Sequence, residues 1–173
     1  MQSNLTFHNI SLSNVTEMRK IQSYSNVTHD FWYEYHCMTD WKEYSFLCYL
    51  DDICVGSLVA RFKNKTSNLY IMDFDVALDY KRMKIGSRMM EHLKEIASKI
   101  SKISSITLHV WTSNEAAVNF YKNQNFEIVA QLDNYYYEYQ PTTAFVCEFK
   151  IKRDTNCLKD CLLFWSNEES QSL

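Results

Sequence analysis

The chain has 173 residues, 46% of them hydrophobic, and a formal net charge of −3 at pH 7. This length suits one domain with a sizeable core, and the near-neutral charge argues against nucleic acid as the main partner. With 2 glycines and 1 proline, the composition indicates neither a flexible linker nor a low-complexity segment. No apolar run reaches the ~18 residues of a membrane span, and the N-terminus does not resemble a secretory leader.

The first half of the chain predicts three strands and two short helices. In order, these are a strand at 5–10, a helix through Val15, Met18 and Ile21, a loop at 24–28, a helix carrying Phe31, Trp32, Tyr35 and Met38, and strands at 43–50 and 53–62. Asp51 and Asp52 form the turn between the two paired strands. Gly56 inside the second of them suggests a bulge.

The second half alternates strands and helices and ends on two strands. We predict a strand at 69–78, a helix at 87–100, a strand at 105–111, a helix capped by Thr112 or Ser113 with Ala116, Ala117, Phe120 and Tyr121 on one face, and strands at 126–132 and 144–151. This order is typical of a mixed α/β sheet.

The six cysteines lie at positions 37, 48, 54, 147, 157 and 161. In a chain without a visible secretory leader, reduced thiols are the expected state. Cys157 and Cys161 are four residues apart and lack a second Cys or His pair, so we expect no zinc site and no other metal.

A strand, a short basic loop and a helix follow one another between residues 69 and 100. The loop and the first helical turn carry four cations, Lys81, Arg82, Lys84 and Arg88. Because the first amides of a helix are unpaired and the helix dipole is positive there, this point suits an anion such as a phosphate ester. The alternative is a solvated loop with ordinary surface cations. Neither a Walker loop nor a dinucleotide fingerprint is present.

The stretch Lys81-Arg82-Met83-Lys84-Ile85-Gly86 is similar to the acetyl-CoA loop of the Gcn5-related N-acetyltransferase (GNAT) family. Residues 108–110, 113–121 and 125–128 resemble that family's later half, and residues 70–72, 113–115 and 134–136 resemble its members that act on protein N-termini. The resemblance implies a GNAT fold over residues 1–152: a mixed, mostly antiparallel seven-stranded sheet with about four helices. The tail, residues 153–173, lies outside it and packs on the domain or docks a partner.

The resemblance also implies catalytic roles for Tyr70, His109 and Tyr121. Tyr70 and His109 would hold a water that takes the proton of the amine, and an imidazole suits a general base at neutral pH. Tyr121 would lie beside the CoA sulfur and supply a proton. Taken alone, His109 and Tyr121 could equally be core residues.

Acetyl-CoA is the implied co-substrate. Its contacts would come from the strand before the loop, the loop itself and the later helix: Phe74, Asp75, Val76, Lys81, Arg82, Met83, Lys84, Ile85, Gly86, Ser87, Asn114 and Tyr121. Asn114 has a simpler reading as a helix-start residue. Lys84 departs from the family, which has glycine there, and its side chain would either crowd the pyrophosphate or point outward as an extra cation.

The implied peptide site combines three regions of the chain: Tyr24, Asn26, Val27, Tyr70, Met72, His109, Tyr135, Tyr136 and Tyr139. A tyrosine-rich strand facing the core would explain the last three equally well.

The resemblance therefore implies transfer of acetyl from acetyl-CoA to the free α-amine of protein N-termini, especially those that keep Met before an apolar residue. Alternatives are acetylation of lysine side chains or small amines, and a non-catalytic CoA-binding subunit of an N-terminal acetyltransferase complex. Partners would be peptide N-termini and the auxiliary and catalytic subunits of such a complex, without nucleic acid or membrane. The expected location is the cytoplasm, with the nucleus as a second compartment.

Overall fold

A computed structural model describes residues 4–22, 31–63 and 66–153, in which seven strands form one sheet. The strands are β1 (Leu5–Asn9), β2 (Phe46–Leu50), β3 (Ile53–Lys63), β4 (Asn68–Val76), β5 (Ser105–Trp111), β6 (Glu127–Leu132) and β7 (Ala144–Lys150). Their spatial order is β1-β2-β3-β4-β5-β7-β6. Every neighbouring pair is antiparallel except β4 and β5, which run parallel. The predicted mixed, mostly antiparallel sheet is confirmed.

Helices cover both faces of the sheet. They are α1 (Val15–Gln22), α2 (Phe31–Met38), α3 (Ile85–Lys99) and α4 (Glu115–Asn123). We call the face covered by α1 and α2 the front face, where Val15 and Met18 pack on Val59. The back face carries the larger core, in which Met89 and Leu93 of α3 are fully buried. None of the helices in the described ranges is long and apolar enough to cross a membrane.

The hairpin of β2 and β3 turns on Asp51 and Asp52, whose φ angles of 47° and 70° suit a tight two-residue hairpin turn. Next to it, Cys48 pairs with Gly56 but Tyr49 pairs with Cys54, so the extra residue of the bulge is Val55 and not the predicted Gly56. Gly56 serves a different purpose. A Cβ there would lie 2.7 Å from Met89 Sδ, so the missing side chain lets α3 approach the sheet.

A second bulge bends β4. Ile71 pairs with Ala60 and Asp73 pairs with Val59, which leaves Met72 as the extra residue. Before the bulge, Leu69 and Ile71 face the back core, and after it Phe74 and Val76 do. The bulge therefore reverses the alternation, and Met72, Asp73 and Asp75 all lie on the front face.

The pairing of β4 with β5 ends after three residues. Asn68, Leu69 and Tyr70 pair with Ser105, Ile106 and Thr107. Beyond that point β4 stays paired with β3 as far as Val76, while β5 stays paired with β7 as far as Trp111. The Asn68 side-chain amide donates to Thr107 Oγ1 at 2.8 Å and closes the paired end. The sheet thus opens into a cleft with Tyr70 at its apex.

Three element boundaries differ from those predicted. The strand predicted to run to residue 78 ends at Val76, because Leu78–Tyr80 form one turn of 3-10 helix. The next helix begins at Ile85, two residues earlier than predicted. The later helix is capped by Asn114 and not by Thr112 or Ser113. The predicted loop at 24–28 and the tail from residue 154 lie outside the described residues.

Candidate active site

Three side chains meet at the apex of the cleft. The Tyr70 hydroxyl lies 3.0 Å from His109 Nδ1. The Tyr135 hydroxyl lies 2.7 Å from the same nitrogen and 3.3 Å from the Tyr70 oxygen. One imidazole nitrogen and two phenol oxygens therefore form a closed hydrogen-bonded triangle.

Each member of this triangle is placed by a different element. Tyr70 is the last residue of β4 that pairs with β5, and its pairing partner is Thr107. His109 lies two residues beyond Thr107 on β5. Tyr135 lies in the loop after β6, where the amides of Tyr135 and Tyr136 both donate to the Thr142 carbonyl, at 2.9 and 2.8 Å. This arrangement brings three side chains that are far apart in the sequence to one point.

The surroundings set the protonation states at this point. Burial, and then the Tyr135 hydrogen bond, raise the pKa of Tyr70 far above its ordinary value, so its hydroxyl keeps its proton. Burial, and then the charge of Lys63, lower the pKa of His109, so the imidazole is neutral at pH 7. A hydroxyl that keeps its proton can donate to Nδ1, which places the imidazole proton on Nε2. His109 is thus able to accept a proton at neutral pH.

Two carboxylates lie on the front face of the cleft's β4 wall. Burial, and then the neighbouring Asp75, raise the pKa of Asp73 to about 8. Close like charges cannot both ionise freely, so this pair retains a proton near neutral pH.

The basic loop lies at the start of α3. Lys81, Arg82, Met83 and Lys84 are all exposed. Lys84 is the N-cap residue of α3, and its φ of 62° lies in the left-handed region. Within the described residues, no backbone carbonyl receives the amides of Ile85, Gly86 or Ser87. Free amides, a helix N-terminus and nearby cations together form the kind of site that binds a phosphate group.

The wall next to this loop is aromatic. Phe74 stacks on Phe120 with ring centroids 5.5 Å apart. A Cβ on Gly86 would lie 3.4 Å from Phe74 and 3.5 Å from Phe120, which is ordinary contact. Val76 packs on the same back core, while Asp75 faces the front. The exposed Lys84 side chain favours the outward of its two predicted orientations.

Tyr121 and Asn114 lie apart from the triangle. Tyr121 is buried in the back core, its ring 6.4 Å from that of Phe74. Burial is the first cause that raises its pKa, so it too keeps its proton. In the described residues, no hydrogen bond or ring contact joins Tyr121 to Tyr70 or His109. Asn114 Oδ1 accepts from the Ala117 amide at 3.1 Å, which is the helix-start role named as its alternative.

The predicted peptide residues are described in part. Tyr24, Asn26 and Val27 lie outside the described residues. Tyr136 donates to the His109 carbonyl at 3.5 Å, and the ring of Tyr139 lies 5.1 Å from that of Trp111. These tyrosines form a half-exposed surface beside His109, not a strand facing the core.

Two features of the site were missed in the sequence. Tyr135 was assigned to the peptide site and not to the contact with His109. Lys63 lies just beyond the strand predicted at 53–62, yet its Nζ lies 4.4 Å from the Tyr70 ring centroid. The signal for Lys63 was its place two residues after Arg61 on one strand, since such residues share a face.

The described residues contain no group of three or more His, Cys, Asp or Glu side chains that could hold a metal ion. Cys37, Cys48, Cys54 and Cys147 are free thiols.

We predict that His109 titrates below the ordinary histidine pKa of 6.5 and that Lys63→Gln raises its pKa. The rise should be partial, because burial remains. NMR titration of the imidazole measures both values, with Lys122→Gln, an exposed lysine of α4 on the back face, as the control for loss of a cation. A wild-type pKa at or above 6.5 would contradict the neutral imidazole.

Comparison with known proteins extends this picture. The chain matches the family model of the acetyltransferase (GNAT) family over residues 12–126. It is 37% identical over 113 residues to the Drosophila melanogaster protein "Probable N-acetyltransferase san", covering 64% of this chain and 61% of that protein. It is 35% identical over 112 residues to "N-alpha-acetyltransferase 50" of Danio rerio, covering 64% of this chain and 67% of that protein.

Solved structures agree on the fold. An Arabidopsis thaliana Naa50 structure in complex with the bisubstrate analogue CoA-Ac-MVNAL has a TM-score of 0.76 and 29% identity, covering 84% of this chain and 98% of that chain. Ard1 from Thermoplasma volcanium has a TM-score of 0.74 at 24% identity, covering 86% and 99%, which shows a shared fold. Because the family model spans well over half of the chain and the sheet matches these structures, this protein belongs to the GNAT family of acetyltransferases.

Proposed function

We propose that this protein transfers acetyl from acetyl-CoA to the free α-amine of protein N-termini. The observation that carries the proposal is the triangle of Tyr70, His109 and Tyr135 at the point where β4 and β5 part. A neutral imidazole held there can take a proton from an amine. The names of the fly and zebrafish relatives support the same reaction class.

Acetyl-CoA supplies the acetyl group as an activated thioester. The described residues fit such a ligand at two places. The free amides of Ile85, Gly86 and Ser87, with the loop cations around them, suit its pyrophosphate. The unpaired edges of β4 and β5 offer backbone groups to its amide-bearing arm. The exposed Asn114 lies at the start of α4, with its Oδ1 already used by the cap.

The chemistry requires that the amine lose a proton. An α-amine has a pKa of ~8, against ~10.4 for lysine, so mild assistance is sufficient near neutral pH. The Tyr70 hydroxyl would receive the proton from the amine and pass its own proton to Nδ1 of His109, which becomes the imidazolium. Since these two groups are in direct hydrogen-bond contact, a relay water would contact them from the open side of the cleft. Tyr121, which keeps its proton, would supply one to the departing thiolate.

For the peptide, we propose N-termini that keep Met before an apolar residue. The ligand of the Arabidopsis relative carries the peptide MVNAL. Here Tyr135, Tyr136 and Tyr139 offer rings that pack on an unbranched side chain and hydroxyls that reach a peptide backbone. By ungapped spacing, Tyr24, Ser25 and Asn26 stand where the resembling enzyme has Phe-Pro-Val. This less apolar stretch suggests some tolerance of a polar second residue. The proposal extends to an N-terminal acetyltransferase complex as partner, and to the cytoplasm and nucleus as locations.

A peptide panel tests this function. Purified protein and acetyl-CoA are incubated with peptides beginning Met-Leu, Met-Lys and Ser-Gly, and with an N-blocked peptide that has an internal lysine. Mass spectrometry locates the acetyl group. We expect the best turnover on Met-Leu, with Met-Lys acetylated at its α-amine. Transfer confined to the lysine ε-amine would reject the proposal, and no transfer to any peptide would favour a non-catalytic subunit.

Removal of the base should lower kcat far more than it changes KM. We expect Tyr70→Phe and His109→Ala each to reduce kcat by about 10²–10⁴-fold, the usual worth of general-base assistance. Tyr135→Phe should cause a smaller loss, because Tyr70 still contacts Nδ1. Steady-state kinetics between pH 6 and 9 should show kcat/KM rising as the amine deprotonates. Wild-type kcat in both of the first two variants would contradict the role of His109.

Bulk at Gly86 should weaken acetyl-CoA binding without unfolding the domain. The structure has room for one methyl group there, so Gly86→Ala is the matched control and Gly86→Val the test. The branches of valine press on the aromatic wall and hinder approach to the helix amides. Calorimetry with CoA gives the affinity and thermal melting checks the fold. Equal CoA affinity in the wild type and in Gly86→Val would contradict this prediction.

A further inference from the structure

Two cations flank the catalytic triangle on the front face. Arg61 on β3 pairs directly across from Tyr70 on β4. Arg61 Cζ lies 5.8 Å from the Tyr70 ring centroid, and Lys63 Nζ lies 4.4 Å from it. Both distances fit cation–π contact. The strand period of two explains why both side chains share the face on which Tyr70 lies.

These charges are not neutralised by the described part of the protein. Its ion pairs are Arg19–Glu34, His36–Asp40 and Lys99–Glu95, and none involves Arg61 or Lys63. The Arg61 Nε is shielded from solvent and has no hydrogen-bond partner among the described residues. A shielded donor without an acceptor is costly, and it normally marks a place where an acceptor binds.

The acidic residues on the same face do not serve as that acceptor. Asp73 lies opposite Val59, on the far side of the bulge from Tyr70. Its carboxyl group is buried against Asp75, and its pKa is raised to about 8, so it holds a proton near neutral pH. The cations therefore remain available to a carboxylate from outside.

The closed end of the cleft lies beside these cations. Lys63 pairs with Asn68, the residue at which the pairing of β4 with β5 begins. Lys63 also contacts the ring of Tyr70, which lies at the apex. A peptide whose amine lies at the apex and whose chain runs towards this end would advance about 3.3–3.6 Å per residue, which brings the side chains of its third and fourth residues within reach of Lys63.

We propose that Lys63 and Arg61 form a carboxylate-binding subsite that selects substrates with an acidic side chain at the third or fourth residue, beyond the apolar second residue. The proposal rests on the proposed N-terminal acetylation and names the substrate class of that site. A carboxylate there would receive charge-assisted hydrogen bonds from both cations. Lys63 would thus be a specificity-determining residue, in addition to its effect on His109.

The test compares matched peptides that differ only in having Glu or Gln at one position. Two pairs begin with Met-Leu and carry Glu or Gln at position three or four, with the other positions held constant. The measured quantity is the ratio of kcat/KM for the Glu peptide to that for the Gln peptide, at 50 and 300 mM salt. Because both peptides meet the same catalytic groups, any common effect of a variant on chemistry cancels in the ratio.

We expect the wild-type ratio to be about tenfold at one position at low salt and to fall at high salt, as screening predicts. Lys63→Gln should bring the ratio close to one, and Lys63→Glu should invert it. Arg61→Gln should lower the ratio in part. Lys122→Gln, which removes an exposed lysine of α4 on the back face, should leave the ratio unchanged. The preference should appear in KM and not in kcat.

Binding separates this proposal from the proposed function. Fluorescence polarisation with the same labelled peptides, in the presence of CoA, gives Glu and Gln affinities whether or not acetyl transfer occurs. Lack of transfer with a Glu preference abolished by Lys63→Gln would reject the proposed reaction but retain the subsite. Equal Glu and Gln affinities at both positions would overturn the subsite even in an active enzyme. A preference that survives Lys63→Gln and Arg61→Gln would also overturn it.

Discussion

The site depends on the short parallel pairing of β4 and β5. Three residue pairs hold the two strands together, and each strand then follows a different antiparallel neighbour. Backbone groups along the parted edges lack the ladder partners that a continuous sheet would supply, and exposed groups of this kind need water or a ligand. The bulge at Met72 bends β4 at this point. One break in pairing thus creates the cleft, places Tyr70 and His109 at its apex and leaves the polar backbone that a thioester ligand can use.

The electrostatics of the apex are consistent with an amine as the reacting group. Tyr70 keeps its proton, His109 is neutral and Lys63 adds a positive charge nearby. A positive environment disfavours an ammonium ion and favours the free amine, which is the nucleophilic form. The same charge would attract a carboxylate on the substrate, so one lysine can both lower the proton affinity of the site and help to orient a peptide.

Much of the fold is readable in the sequence because the strand and helix periods are strong. The strand at Ser105–Trp111 was predicted to the residue, and the other strands to within about three. The bulges and the parting of β4 from β5 were not predictable, since they depend on which strand each edge pairs with. The contact of Tyr135 with His109 was not predicted, because Tyr135 lies in a loop 26 residues further along the chain and only the fold brings that loop back to His109. The cap of α4 was predicted at Thr112 or Ser113, because these residues and Asn114 are all favourable N-cap types. Only the geometry singles out Asn114, whose Oδ1 accepts from the Ala117 amide.

Residues with left-handed backbone angles mark the positions where the folded backbone is strained. Its two glycines, Gly56 and Gly86, both allow close packing, and neither has a positive φ. The left-handed positions are filled by other residues: Asp51, Asp52, Ser67, Arg82, Lys84, Asn125 and Asn134. Asp and Asn tolerate this region, but a long side chain loses about 1–2 kcal/mol there. Arg82 and Lys84 are the two such residues, and both lie in the loop before α3. Strain retained at this one loop is best explained by function, because each strained residue adds a cation beside the free helix amides.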